Sequence, residues 1–402
     1  MQRSGAEVIV AGHICLDIIP AISEKKSGMD ALLIPGKLVD IGPAVIATGG
    51  AVSNTGLALH RLGRDVQLMG KVGDDQFGNA ILEVLKQQGE AIIEGMIVAP
   101  GEHSSYTIVI NPPNVDRIFL HCTGANDTFS SQDLNKEQLA NVRLFHFGYP
   151  PLMRKMYENQ GEELRLLLSK VKASGLTVSL DLAKPDPESA AGIADWRVIL
   201  EKALPYVDVF LPSFEEIFYM LHRERYEEML LRAPSGDILS IIDGKLLTEI
   251  STELIAMGVA IVGLKLGEHG LYVRTTADSK RLASSGLCAP VRERLENWTN
   301  REMLAPSFEV EVIGTTGAGD CTIAGFLCGM LEGLTFEETM QTAVGVGASN
   351  VEQADATSGI PALAEVRDRI SKGWTKRQQK LDLSGWHVTD DGLWTKFSSY
   401  PN

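Results

Sequence analysis

The run Gly314-Thr-Thr-Gly-Ala-Gly-Asp320 holds the residues best suited to chemistry in this chain. It follows the strand-like segment 308–313 and precedes an apolar helical stretch, so its glycines sit where the chain must turn sharply into a helix. The backbone amides of Gly317, Ala318, Gly319 and Asp320 then converge, with the positive end of the helix dipole behind them. Such an anion hole suits the charge on a transferring γ-phosphoryl group. A carboxylate there would repel phosphate, so Asp320 is expected instead to accept the proton of a hydroxyl aligned to attack phosphorus. Taken alone, the run also reads as an ordinary strand-to-helix turn capped by Asp320. No G-x-x-x-x-G-K-[ST] run occurs, and Gly317-x-Gly319-x-x-Thr322 misses the dinucleotide pattern G-x-G-x-x-G.

A second group lies near the N-terminus. Gly12-His-Ile-Cys-Leu-Asp17 ends an expected first strand, where α/β sheets place ligand groups, and Asp17 could accept hydrogen bonds from two vicinal hydroxyls. Gly49 and Gly50 offer close backbone approach, and Asn54 offers an amide with both donor and acceptor. Read singly, Asp17 is a loop carboxylate and Asn54 a helix-start residue. His13 and His121 have no sequence neighbour at metal-ligand spacing and are not expected to be ligands.

These residues need a scaffold, and the apolar pattern supplies one. Segments 8–11, 66–71, 144–147, 176–180, 207–211 and 260–264 read as buried strands. Helical spacing covers 52–62, 78–87, 152–173, 214–221 and 318–331. Alternation of the two predicts a mostly parallel sheet covered by helices. Residues 31–48 and 104–122 break the rhythm; the second reads as a hairpin across 112–116, and inserted strands of this kind often form a flap. Segments 222–250 and 277–307 look like insertions without a repeat, and 371–402 reads as a C-terminal extension with a small β-hairpin. The aromatics of that extension are expected to pack on the domain, with a partner-binding tag as the alternative.

Composition sets the remaining bounds. The chain has 402 residues, 44% hydrophobic and 22% charged, enough for one large α/β domain with additions. Its 37 Lys and Arg stand against 52 Asp and Glu, and the net charge of −15 disfavours adhesion to nucleic acid or anionic lipid. Five scattered cysteines form no C-x-x-C pair, which fits a reducing cytoplasmic setting, and no signal-peptide core or membrane span is expected.

The run 314–320, followed by Ala324-Gly-Phe-Leu327, closely resembles the C-terminal signature of the PfkB, or ribokinase-like, carbohydrate kinases. The segment Gly49-Gly-Ala-Val-Ser-Asn54 through Gly63, with Val72-Gly-Asp-Asp-Gln-Phe-Gly78 after it, resembles the N-terminal signature. The resemblance spans residues 6–370. It implies a ribokinase-like α/β fold: a central mostly parallel sheet flanked by helices, with a small β-lid drawn from about 13–48 and 104–122. It further implies ATP-dependent phosphorylation of a sugar or polyol hydroxyl with Mg2+. The edge strands of such a lid are natural places for two subunits to pair, so a homodimer through the lid is expected.

By the same resemblance, Asp17, Gly49, Gly50, Asn54 and Asn126 border the sugar, and Asn126 comes from Gly124-Ala-Asn126. Lys265, Gly267 and Gly270 of Leu264-Lys-Leu-Gly-Glu-His-Gly270, with Thr316 and Asn350, border the nucleotide. Leu211-Pro-Ser-Phe-Glu-Glu216 stands where the family has Asn-x-x-Glu; Ser213 replaces the Asn, and Glu216 is expected to organise Mg2+ through water. Gly314 replaces a family Asp that helps bind a monovalent cation, so potassium activation is not expected. A nucleoside kinase of the same fold, or a catalytically silent binding module, are the competing readings.

Overall fold

The computed structural model describes residues 6–22, 34–111 and 118–396. The 112–116 turn and residues 31–33 of the expected 31–48 irregularity lie outside that range.

Ten strands form the central sheet. Six run parallel: Val66–Met69, Val8–Gly12, Leu144–Gly148, Thr177–Leu180, Val209–Phe210 and Ile261–Lys265, in that spatial order. Leu271–Thr275, Glu302–Ala305, Trp394–Thr395 and His387–Val388 extend the sheet antiparallel. Helices cover both faces, so successive side chains of one strand enter different cores. Val8 and Val10 join one apolar cluster while Ile9 and Ala11 join the other, as the period of two requires.

A second sheet has four strands in the order Ala44–Gly49, Cys15–Pro20, Tyr106–Ile110, Ile118–Cys122. Its register sets Ala47, Asp17, Thr107 and His121 side by side, so these four share one face.

Several expected elements differ. The helix foreseen over 152–173 is broken, because Asn159, Gln160 and Gly161 all take left-handed conformations (φ 51°, 55° and 71°) and only Glu162–Lys172 is a full helix. The strand foreseen over 308–313 is extended chain with a single bridge, Phe308 to Lys376; Val312 and Ile313 stay exposed. Segment 66–71 is two strands, since Lys71–Gly73 leaves the central sheet to pair with Ile97–Ala99. The supposed insertion 277–307 contains Glu302–Ala305, a fully buried strand of the central sheet.

The chain after 371 packs on the domain. Trp374 stacks on Phe308 at 4.4 Å between ring centroids, and the Arg369 guanidinium lies 3.6 Å over the other ring system of that pair, the indole. The short hairpin then adds its second strand to the Glu302–Ala305 edge.

Candidate active site

Gly317 takes φ 74°, a left-handed turn that a side chain would strain, and starts the helix Ala318–Leu331. The first regular helical bond is Cys321 N–H to Gly317 O at 2.8 Å, so the Gly319 and Asp320 amides head the helix ahead of it; the Ala318 amide leans on Thr315 O at 3.4 Å. Lys265 comes from the end of its strand, and a Cβ built on Gly319 would lie 3.7 Å from its Nζ. An ammonium thus stands beside the amide turn.

Asp320 is 4% exposed, in the first turn of that helix. Asn54 Nδ2 donates to its Oδ2 at 3.0 Å and Thr55 Oγ1 to its Oδ1 at 3.3 Å, both from the helix Ala51–Arg61. The Tyr149 hydroxyl donates to both carboxylate oxygens, at 2.8 and 2.9 Å. Tyr149 is itself left-handed, φ 63°, just past the end of the Leu144–Gly148 strand. Burial, and after it the nearby Asp320 charge, holds the Tyr149 phenol well above its ordinary pKa, so it stays a donor.

Lys265 Nζ donates to Asp181 Oδ1 at 2.8 Å, and Asp181 is fully buried with Oδ2 unpartnered among the described residues. Burial pushes Asp181 up strongly against the pull of Lys265, and burial raises Glu216 too. Burial alone would lower the Lys265 ammonium, but Asp181, Glu216 and Asp320 together hold it above its usual value. Glu216 Oε2 accepts the Ser213 amide at 2.8 Å while Ser213 caps the helix in return, a reciprocal capping box. Ser213 therefore has a local reason to be where it is. At Gly314 a Cβ would lie 2.8 Å from Gln353 O, so a side chain there would press on the backbone.

A cavity of about 460 Å³ opens over these groups. Lys265, Gly267, Gly270, Gly317, Ala318, Gly319, Asp320 and Glu216 line its polar end, and Leu239, Phe308, Val310, Val312, Val344 and Val351 form an apolar slot. That division suits a nucleotide, with phosphates at the amide turn and a base in the slot. Thr316 lies between lining residues without lining the cavity itself. Asn350 is fully buried outside the lining and donates to Ala356 O at 2.6 Å, bracing the loop behind.

On the opposite side of Asp320, Asp17 faces Gly49 so closely that a Cβ there would meet its carboxylate at 2.2 Å. Burial raises the Asp17 carboxyl. Gly50, with φ 86°, leads directly into the helix that carries Asn54. Asn126 is fully buried, donates to Ile14 O and Thr123 O at 2.9 Å each, and accepts Ile14 N–H at 3.1 Å, so its amide clips two backbone segments together.

Tyr149, Asp181, Thr55 and the tail residue Arg377, which lines the cavity beside Glu268, were not foreseen. Tyr149 and Asp181 each follow the carboxyl end of a parallel strand, the one signal that could have flagged them. His13 and His121, read as isolated, meet with their Nε2 atoms 3.2 Å apart.

An amide turn, a buried carboxylate and a lysine at the carboxyl ends of a parallel sheet define a phosphoryl-handling α/β protein. The profile of the pfkB family of carbohydrate kinases matches residues 7–363, and the chain belongs to that family. It is 27% identical over 305 residues to an uncharacterized sugar kinase from Archaeoglobus fulgidus, covering 76% of this chain and 98% of that one. Among solved structures, a Xylella fastidiosa fructokinase with bound ATP is similar with a TM-score of 0.66 at 18% identity, covering 91% of this chain and 99% of that chain. An Arabidopsis thaliana ribokinase complexed with ribose and ATP reaches 0.66 at 17% identity, covering 90% and 98%. Among the described residues no helix is long and apolar enough to cross a membrane.

Proposed function

We propose that this chain transfers the γ-phosphoryl group of ATP to a hydroxyl of a sugar or related polyol, with Asp320 as general base. The observation that carries the reading is the position of Asp320: it lines the nucleotide-shaped cavity beside the amide turn and is held from the other side by Asn54. Asp17, Asn54 and the Gly49-Gly50 backbone would hold the acceptor. A sugar hydroxyl replaces the Tyr149 hydroxyl on Asp320, gives up its proton there, and attacks the phosphorus in line. The Gly317–Asp320 amides and Lys265 receive the charge that spreads over the transferring oxygens.

Glu216 and the unpartnered Oδ2 of Asp181 fit a hard divalent ion such as Mg2+, because two buried carboxylates beside Asp320 exceed the single positive charge of Lys265. When bound, Mg2+ would neutralise charge on the phosphates. The small four-stranded sheet acts as a lid over the acceptor and excludes water.

The test is a panel of sugars and nucleosides assayed for phosphate transfer, with Asp320→Asn as control. The substitution should lower kcat by about a hundredfold to ten-thousandfold at nearly unchanged KM. An Asn variant as active as the parent would overturn the assignment.

A further inference from the structure

We propose that His13, Cys15 and His121 form a site for a borderline-soft divalent cation of the Zn2+ class, and that its occupation shuts the acceptor hollow. The inhibitory half rests on the reading of Asp17 as an acceptor ligand; the site itself does not.

His13 and Cys15 are near neighbours in the chain, while His121 lies 108 residues from His13. His13 follows the first central strand, Cys15 opens the next strand, and His121 lies on the last strand of the small sheet. One ligand atom from each falls within 4.8 Å of the other two. The two Nε2 atoms are 3.2 Å apart, close to the about 3.3 Å edge that two Zn–N bonds span in a tetrahedron. The rings are tilted by 53°, so a cation can lie in the plane of both. No substrate hydroxyl fits between nitrogens that are already in contact.

The orientation of His121 is fixed as it is around known sites, while His13 Nδ1 has no partner among the described residues. Thr107 Oγ1 bonds His121 Nδ1 at 3.0 Å, which leaves Nε2 as the ligating atom, and the same hydroxyl lies 3.6 Å from Cys15 Sγ. Cys15 and Asp17 alternate onto the face that carries Thr107 and His121. Two imidazoles and a thiolate favour Zn2+ over Mg2+, and binding releases the thiol proton to solvent. Three protein ligands leave a fourth position for water. His121 is exposed, which gives a cation its way in. Cys15 Sγ already donates to Asp17 Oδ1 at 3.3 Å, so a cation at Cys15 sits against the carboxylate assigned to the acceptor.

The experiment titrates chelator-treated protein with Co2+ and reads tetrahedral visible bands and the thiolate-to-cobalt band in the near ultraviolet, with Zn2+ as competitor. The expected result is one ion per chain, displaced by Zn2+. Cys15→Ser should remove the thiolate band, and the exposed His121→Asn should weaken binding at least tenfold, each with an unchanged circular dichroism spectrum. Absence of binding, or identical spectra from wild type and both variants, would overturn the site. Zn2+ should also inhibit phosphate transfer competitively with the sugar. Tight binding without inhibition would refute the regulatory half alone, whereas failure of the sugar assay would leave the cobalt result standing.

Discussion

Lys265 carries more of the site than any group except Asp320. Its ammonium answers three carboxylates, one of which, Asp181, is completely buried. Lys265→Met should therefore lower kcat by about a hundredfold and also cost about 3 kcal/mol of stability at pH 7, because Asp181 loses its only counter-charge bond. The sign of the pH dependence follows from Asp181, an acid raised above its unfolded value. The penalty for burying its charge is present once the pH exceeds the folded pKa and vanishes as both states become protonated. Denaturant titrations should thus show the Met variant recovering toward wild type as the pH falls toward the ordinary range of an aspartate carboxyl, and Asp181→Asn in the same chain should restore it at pH 7. Asp320 was legible in the sequence because its glycines and helix are contiguous with it. Asp181 and Tyr149 were not, because each comes from a different strand end and gains its role only across the sheet.

Among the elements, the segment 308–313 and the C-terminal extension define each other. Alternating apolar residues gave 308–313 the look of a strand, but no neighbouring strand pairs with it beyond the single Phe308 bridge. Backbone bonds from Glu309 N to Thr375 O and from Ile313 N to Val351 O, each 2.8 Å, hold it together with Trp374, which stacks on Phe308 and whose indole N–H donates to Glu309 O at 3.1 Å. Phe308, Val310 and Val312 also form the apolar slot of the cavity. Trp374→Ala should then lower stability by about 2 kcal/mol and raise the KM for ATP several-fold while leaving the sugar KM unchanged. Thermal denaturation and initial rates at varied ATP would check it; a shift in the sugar KM alone would contradict this account. The helices near 52–62, 78–87, 214–221 and 318–331 and the six parallel strands of the central sheet were readable from period alone, whereas Trp196–Ala203 and Gly244–Ala256 were not foreseen. The 152–173 break was not, because Gln160, between Asn159 and Gly161, belongs to a type that rarely adopts that conformation, and nothing local in the run marks three consecutive left-handed residues.

For the whole molecule, the small sheet raises a question of cover. Its strands expose apolar side chains on both faces: Val45 and Phe119 share the face of Asp17, while Ile46, Ile118 and Leu120 point the other way. A two-sided apolar sheet wants two partners, and the body of the same chain with its substrate supplies only one. A second copy, pairing through this sheet, would supply the other, so Leu120→Glu should move the protein from dimer to monomer in sedimentation velocity. A wild-type chain that sediments as a monomer at micromolar concentration would contradict the pairing. Tyr149 adds a consequence on the same scale. Its phenol spans both oxygens of Asp320, so on the proposed reading the resting enzyme keeps its base engaged rather than open to water. An arriving sugar exchanges one O–H donor for another at little net cost, whereas a lone water must displace the phenol without the contacts a sugar would bring. Idle turnover of nucleotide is thereby suppressed at the base itself, before any lid has closed.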